Sequence, residues 1–152
     1  MKTWQTHDRS NWIENLVKDS EPDKAQWIDE QSGYDCLIVR NRLGGLCGYV
    51  GVPPKHSQYE RHFEEADIDE QVHGGLSFSK FCDPAEPEEN GVCHVGEVAN
   101  VTVWWFGFDC GHCNDLRPKD HHMLGLAEVV YRDFEYVKNE VTQLAEALIE
   151  TV

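Results

Sequence analysis

Apolar residues follow a helical period at both ends of the chain. Near the N-terminus, the apolar positions between Trp12 and Val17 recur at helical spacing, and Glu21-Pro22-Asp23 opens a second segment that carries Trp27 and Ile28. At the other end, Leu126 to Ile149 carries one continuous apolar stripe. This pattern predicts one or two amphipathic N-terminal helices and a long C-terminal helix.

The middle of the chain has strand character. Tyr34 to Asn41 and Leu46 to Val52 are β-rich runs joined by a short Gly-containing turn, which predicts a hairpin. Val101 to Asp109 is rich in β-branched and aromatic residues and predicts a third strand. Val72 to Phe78 predicts a weaker strand because it contains two glycines, and residues 82–100 have the Pro, Glu, Asn and Gly content of a surface loop.

Together these elements predict an α+β fold over residues 1–152 as a single domain. A chain of 152 residues is long enough to build one hydrophobic core. We expect a single small antiparallel or mixed sheet, with the N-terminal helices and the long C-terminal helix packed on it. The chain has no run of eighteen apolar residues, and its first residues lack a secretory pattern, so we expect a cytoplasmic protein with no membrane partner.

Charge narrows the range of partners. The 28 acidic and 13 basic side chains give a formal net charge of −15, which repels a polyphosphate backbone and argues against duplex nucleic acid as a partner. A small anion remains acceptable, because a local arginine or backbone amides can outweigh a screened net charge. The sequence leaves open whether the chain forms a homo-oligomer.

Six cysteines occur without an export signal, so we expect reduced thiols and no disulfide. Cys110-Gly111-His112-Cys113 admits two further interpretations. A redox pair is disfavoured because no helix of thioredoxin type follows the motif. Structural zinc would need a second pair of ligands, and Cys93-His94 is adjacent rather than spaced for chelation.

Strand alternation points to a pocket. It places Trp105, Gly107 and Asp109 on one face of the last strand, and His73 and Gly75 on one face of the weaker strand. If the two strands are neighbours, these residues line a recess in which the backbone can approach a ligand. The alternative is that the glycines relieve crowding and that His73 is an ordinary surface imidazole.

The same residues suggest a metal as a second possibility. His73, Asp109 and His112, with Asp115 as a further ligand, offer imidazole and carboxylate donors that suit a divalent metal such as Zn, Mn or Fe. Arg40, Arg132 and Tyr136 could add charge and hydrogen bonds near the recess, although a solvated turn for Arg40 and a helix-surface pairing for Arg132 and Tyr136 are the commoner explanations. The candidate ligand-binding residues are therefore Arg40, Tyr49, His73, Gly74, Gly75, Trp105, Asp109, His112, Asp115, Arg132 and Tyr136.

Several motifs resemble one family. The motifs are Cys47-Gly48-Tyr49-Val50-Gly51-Val52-Pro53, Val72-His73-Gly74-Gly75-Leu76, Trp104-Trp105-Phe106-Gly107-Phe108-Asp109-Cys110 with His112, and Tyr131-Arg132-Asp133 with Glu135-Tyr136-Val137. From about residue 35 onward, the chain resembles a family of small bacteriophage and prophage proteins whose function is uncharacterised. That family has a different residue at the position of Cys113, which weakens both interpretations of the Cys-x-x-Cys motif.

The resemblance implies a role in phage infection. Small phage proteins with a polar and aromatic pocket can sequester host nucleotide signals, such as cyclic oligonucleotides or cyclic ADP-ribose derivatives. A small nucleotide-type ligand would then stack on Trp105 or Tyr49, while His73 and His112 bond its phosphate or ribose and Arg40 or Arg132 supplies charge. Two alternatives stay open: a hydrolase or phosphodiesterase that uses the His and Asp residues for metal binding or acid–base catalysis, and a protein-binding inhibitor of a host factor.

Overall fold

Six antiparallel strands form one sheet in the computed structural model, which describes residues 1–68, 72–96, 100–126 and 128–150. The order across the sheet is β1-β2-β3-β4-β6-β5. The strands are β1 (Lys2–Trp4), β2 (Lys24–Ile28), β3 (Asp35–Arg40), β4 (Leu46–Val52), β5 (Phe78–Phe81) and β6 (Trp104–Asp109). One long helix, α1 (Phe134–Glu150), packs against β3 and β4. The predicted α+β class with a helix on an antiparallel sheet is confirmed.

The predicted β3–β4 hairpin is confirmed, and its core follows from alternation. Cys36 and Ile38 on β3 point toward α1, while Leu37 and Val39 point to the other face of the sheet. Both faces are covered, which explains why every residue of β4 is buried. On α1, the stripe Val137, Val141, Leu144 and Leu148 is fully buried against the first face.

The N-terminal helices are absent from the described residues, and that part of the prediction is wrong. Residues 1–30 instead supply β1, β2 and a turn-rich connection in which Asn15 has a left-handed φ of 62°. The backbone N–H and C=O groups of β2 find their hydrogen-bond partners in β3, with which β2 pairs along its whole length. Trp12 and Ile13 are buried, but they lie in a turn rather than on a helical face.

Two other predicted boundaries shift. α1 begins at Phe134 rather than Leu126, because Val130 pairs in a parallel bridge with Asp115 and Glu128 has a left-handed φ of 67°. The segment predicted as a strand from Val72 is a turn at its start, and β5 begins only at Phe78. β5 pairs with β6, and the N–H of Ser77 donates to the Gly107 carbonyl at 2.9 Å, so the end of this segment lies beside the last strand, which is the condition on which the predicted pocket depended.

The described part of the loop between β5 and β6, residues 82–96 and 100–103, contains neither helix nor strand, as predicted, and residues 97–99 lie outside the described residues. The expectation of six reduced thiols is wrong, because Cys82 and Cys93 form a disulfide. The loop turns back on itself and brings their Cα atoms to 5.0 Å, within the range a disulfide spans. Cys36, Cys47, Cys110 and Cys113 remain free thiols.

Among the described residues, no helix is long and apolar enough to span a bilayer.

Candidate functional site

A polar cluster centred on His73 lies where β6 ends and α1 begins. His73 follows Val72 in a turn that continues through Gly74 and Gly75, with φ values of 70° and 82°. Such left-handed angles favour glycine, so the pair lets the chain reverse directly after the imidazole. The turn is closed by a backbone hydrogen bond of 2.8 Å from Gly75 N–H to the carbonyl of Val72.

Three groups fix the His73 ring. Its Nε2 atom lies 2.9 and 2.8 Å from the two carboxylate oxygens of Asp115, and its Nδ1 atom lies 2.8 Å from the hydroxyl of Tyr136. The His112 ring lies next to it, with the ring centroids 5.6 Å apart. Both His73 nitrogens therefore have hydrogen-bond partners within the protein.

Asp115 is the anchor of this cluster, with only 1% of its side chain exposed. It accepts hydrogen bonds from His73, from the backbone N–H of His112 at 3.0 Å and from Nε of Arg132 at 3.0 Å. Burial by itself raises the pKa of the Asp115 carboxyl, but these donors and the nearby positive charge outweigh burial and hold that pKa below its ordinary value. Asp115 is therefore ionised near neutral pH.

The backbone positions both sides of the cluster. Asp115 and Val130 form a parallel bridge, with Leu116 N–H donating to the Val130 carbonyl at 2.9 Å. This bridge holds the segment after β6 against the segment that leads into α1. Asp133 then caps the helix by accepting the backbone N–H of Tyr136 at 2.9 Å, which places Tyr136 in the first helical turn.

The outer part of the cluster contains Asp109 and His112, which are about 40% exposed. Nε2 of His112 lies 3.5 Å from Oδ1 of Asp109, a separation too long for a well-formed hydrogen bond, and this buried atom lacks a hydrogen-bond partner among the described residues. Asp109 is held from two other directions, by the Ser77 hydroxyl at 3.1 Å and the Gly111 N–H at 3.0 Å. The His112 ring packs on Gly74, where an added Cβ would lie 1.9 Å from Nε2.

The structure thus brings together eight of the predicted site residues. They are Tyr136, in the first turn of α1, and His73, Gly74, Gly75, Asp109, His112, Asp115 and Arg132. Ser77, which holds Asp109, was missed by the sequence analysis. Alternation did place Ser77 on the same face as His73, so the sequence carried a signal for it.

Trp105 and Tyr49 do not join the cluster. Trp105 is fully buried between the sheet and the disulfide-closed loop, in the same apolar group as Tyr49 and Leu37. Gly107 opens no recess either, because an added Cβ there would lie 2.3 Å from the Tyr49 ring. The glycine beside Trp105 therefore relieves crowding, which was the alternative interpretation of the pattern.

Arg40 belongs to a separate buried cluster. Its guanidinium donates to Asp23 at 2.7 Å, to Glu21 at 3.2 Å and to the Tyr131 hydroxyl at 2.8 Å. Two backbone carbonyls, those of Pro22 and Gly44, accept its remaining hydrogen bonds at 2.9 and 2.8 Å. All five N–H donors of Arg40 are used, so it has none left for a ligand.

The donors at His73 do not form a metal centre as they stand. Among the described residues, no group of three or more His, Cys, Asp and Glu side chains is arranged to hold a metal ion. His73 would have to give up Asp115 or Tyr136 before either ring nitrogen could ligate one. The arrangement is suited instead to proton transfer and to hydrogen bonding of an anion.

A cavity of about 440 Å³ opens on the other flank of the segment leading into α1. Its lining includes Lys18, Glu21, Tyr131, Asp133 and Phe134. It contains none of the His73 cluster, so this cavity is separate from the predicted recess.

No protein-family model, curated protein or solved structure matches this chain. The resemblance to bacteriophage and prophage proteins therefore stays a prediction, and the functional argument depends on the geometry of the site.

Proposed function

We propose that the protein binds a small anionic ligand of nucleotide type at the His73 cluster, through the phosphate groups of that ligand. The observation that carries this proposal is the state of the Arg132 guanidinium. Its Nε is fixed on Asp115 at 3.0 Å, while its two terminal nitrogens lack a hydrogen-bond partner within the described part of the chain. A guanidinium whose Nε is held in this way can present its two terminal nitrogens, in one plane, to two oxygens of a phosphate.

The surroundings of Arg132 support an anion rather than a cation. Its side chain is 23% exposed, so a ligand can reach it, and its Cζ lies 5.1 Å from the centre of the Tyr136 ring, which fixes the plane of the guanidinium. His112, with 41% of its side chain exposed, adds a second imidazole beside His73, with the two ring centroids 5.6 Å apart. The net charge of −15 opposes an anion at long range, but it is screened over about 10 Å while these contacts act directly.

The mode of recognition differs from the one expected from the sequence. Base stacking on Trp105 or Tyr49 has no support, because both rings are buried between the sheet and the disulfide-closed loop. A ligand held by phosphate and ribose contacts fits the cluster better. Sequestration of a host signalling nucleotide is the biological role that such binding would serve in a phage protein.

The proposal is tested by calorimetric titration with ADP-ribose and a cyclic dinucleotide. We expect binding in the micromolar range, and we expect Arg132→Gln to weaken it by about tenfold or more, because one bidentate charge-assisted contact contributes at least about 1.4 kcal/mol. Arg42→Gln is the matched control, since Arg42 is exposed and its substitution changes the net charge by the same amount. Equal affinity for the wild type and Arg132→Gln, or no heat with either ligand, would overturn the proposal.

A further inference from the structure

Asp115, His73 and Tyr136 form a carboxylate–imidazole–hydroxyl chain. Asp115 contacts Nε2 of the imidazole at 2.8 Å, and Tyr136 contacts Nδ1 at 2.8 Å. In serine hydrolases the same three kinds of group activate a hydroxyl, with the imidazole as base and the carboxylate as its orienting partner. Here the two ring nitrogens exchange roles, and the hydroxyl is that of a tyrosine.

The hydrogen-bond pattern fixes the direction of proton transfer. An ionised carboxylate only accepts hydrogen bonds, so Nε2 carries the proton that it shares with Asp115. In the neutral imidazole Nδ1 is then an acceptor, and the Tyr136 hydroxyl donates to it. A neutral imidazole with its proton on Nε2 is the tautomer of His73 that can remove the proton of Tyr136.

Tyr136 is accessible and adjacent to a cation. It is half-buried in the first turn of α1, and its ring meets the His73 ring edge-on at 88°. The Arg132 guanidinium lies 5.1 Å from the ring centre, where it stabilises negative charge that develops on the phenolate. Glu140, Cys110 and Asp115 are the other titratable groups that influence Tyr136, and burial raises the pKa of its phenol. The phenol of Tyr136 therefore keeps its proton in the free protein, and the proton would move to His73 only while the oxygen attacks the substrate.

Tyr131 provides the contrast within the same segment. Its hydroxyl donates to Glu21 and accepts from Arg40 at 2.8 Å, in a buried cluster without a base of the imidazole type. Burial raises the pKa of the Tyr131 phenol far above its ordinary value. Two tyrosines five positions apart are therefore placed in opposite chemical situations.

We infer that Tyr136 is a nucleophile activated by His73 and Asp115, and that it attacks the phosphorus of a phosphate ester or anhydride in the bound ligand. This inference rests on the proposed anion site, since Arg132 would hold the phosphoryl group beside the hydroxyl. A Tyr136–phosphorus bond forms as the bond to the leaving oxygen breaks. The phenol proton moves to Nδ1 of His73 and then to the leaving oxygen. A water molecule next attacks phosphorus and gives a proton to Nδ1 of His73, the tyrosyl–phosphorus bond breaks, and His73 returns that proton to the phenolate of Tyr136.

The test uses an arylsulfonyl fluoride, which labels activated tyrosines without knowledge of the substrate. The tyrosine oxygen forms a bond to sulfur, fluoride leaves, and the phenol proton goes to His73. We expect Tyr136 to be labelled at least tenfold faster than Tyr59, a partly exposed tyrosine whose hydroxyl donates to the carbonyl of Thr102 at 2.6 Å. Site-resolved mass spectrometry measures both rates in one sample.

His73→Ala should reduce labelling of Tyr136 at least tenfold without changing that of Tyr59, and Asp115→Asn tests the same relay with a smaller change of shape. Circular dichroism verifies that each variant is folded. Equal labelling of Tyr136 and Tyr59 in the wild type, or labelling of Tyr136 that is insensitive to both variants, would overturn the inference.

Binding of ADP-ribose separates this inference from the proposed function. The wild type is titrated with ADP-ribose beside Arg132→Gln, which should bind at least tenfold more weakly, and labelling of Tyr136 is measured on the same preparations. Fast labelling of Tyr136 without ADP-ribose binding would contradict the proposed anion site and support the reactive tyrosine. Binding of ADP-ribose without preferential labelling of Tyr136 would support the anion site and contradict the reactive tyrosine.

Discussion

The chain contains two clusters built from the same kinds of side chain, an arginine, carboxylates and a tyrosine. In the Arg40 cluster, every guanidinium N–H has an acceptor, and the arginine is 3% exposed. In the His73 cluster, Arg132 uses one nitrogen, and the outer side chains are partly exposed. The difference indicates that residue type alone does not identify a site. The two clusters are distinguished by the hydrogen-bond donors that Arg132 leaves unused beside the ordered imidazole of His73.

The largest expected effect is on stability, from removal of Arg40. Arg40→Met leaves Asp23 and Glu21 buried with fewer partners, so we expect the free energy of unfolding to fall by about 3–5 kcal/mol. Arg132→Gln should cost only about 1 kcal/mol, because Asp115 keeps its bonds to His73 and the His112 N–H. Urea denaturation measures both. Similar losses for the two variants would contradict the division into a structural and a functional cluster.

The next effect tests the packing of His112 on the His73 turn. Gly74→Ala and Gly75→Ala each force an L-residue into a left-handed angle, which costs about 1–2 kcal/mol. Only Gly74→Ala also displaces His112, so we expect it to destabilise the fold by at least about 1 kcal/mol more. Thermal unfolding of the matched pair gives the comparison. If Gly75→Ala proves equally damaging, the His112 ring does not rest on Gly74.

Lys24, another buried cation, sharpens the comparison because its ammonium has no carboxylate hydrogen-bond partner in the part of the chain that the structure describes. Its ammonium donates to the carbonyls of Glu88 and Cys93, and burial lowers its pKa to about 8. The unfolded chain keeps the lysine proton to about pH 10.5, so the native state is penalised below pH 8 and gains stability as the pH rises. We expect about 1 kcal/mol of gain from pH 8 to pH 9 relative to Lys24→Met. A pH-independent difference between wild type and variant would show that Lys24 titrates normally.

The smallest effect on stability is expected at Asp109. Asp109→Asn keeps an oxygen for the Gly111 N–H and lies at a partly exposed position, so the unfolding free energy should change by less than about 0.5 kcal/mol. The same change removes a negative charge beside His112, so affinity for ADP-ribose should rise severalfold. Weaker binding would mean that the carboxylate itself contacts the ligand.

Much of the sheet could be predicted because its strands alternate or are apolar throughout. Cys36, Ile38, Leu37 and Val39 sort onto two covered faces as the sequence indicates. The structure of the N-terminal segment could not be predicted, since the apolar residues from Trp12 to Val17 match a helical period without forming a helix. The pairing of β2 with β3 is a long-range contact that no local period encodes.

The proximity of His73, Asp109 and His112 could be anticipated, because their positions beside glycines and strand ends are visible in the sequence. Trp105 was misassigned, because alternation gives the face of a strand but not the cover over that face. The disulfide loop supplies that cover here. Arg40 was misassigned for a similar reason, since Glu21 and Asp23 reach it from a segment that the sequence assigned to a helix.

The parallel bridge between Asp115 and Val130 also matters for protein engineering. It joins the segment of Asp115 to the segment that leads into α1 by a direct backbone contact, in addition to the chain that connects them. Gly125 lies on that connection, where a Cβ would meet no atom within 4 Å, and it has a left-handed φ of 93°. We therefore expect a short peptide insert at Gly125 to be tolerated, with Asp115 still held beside Val130.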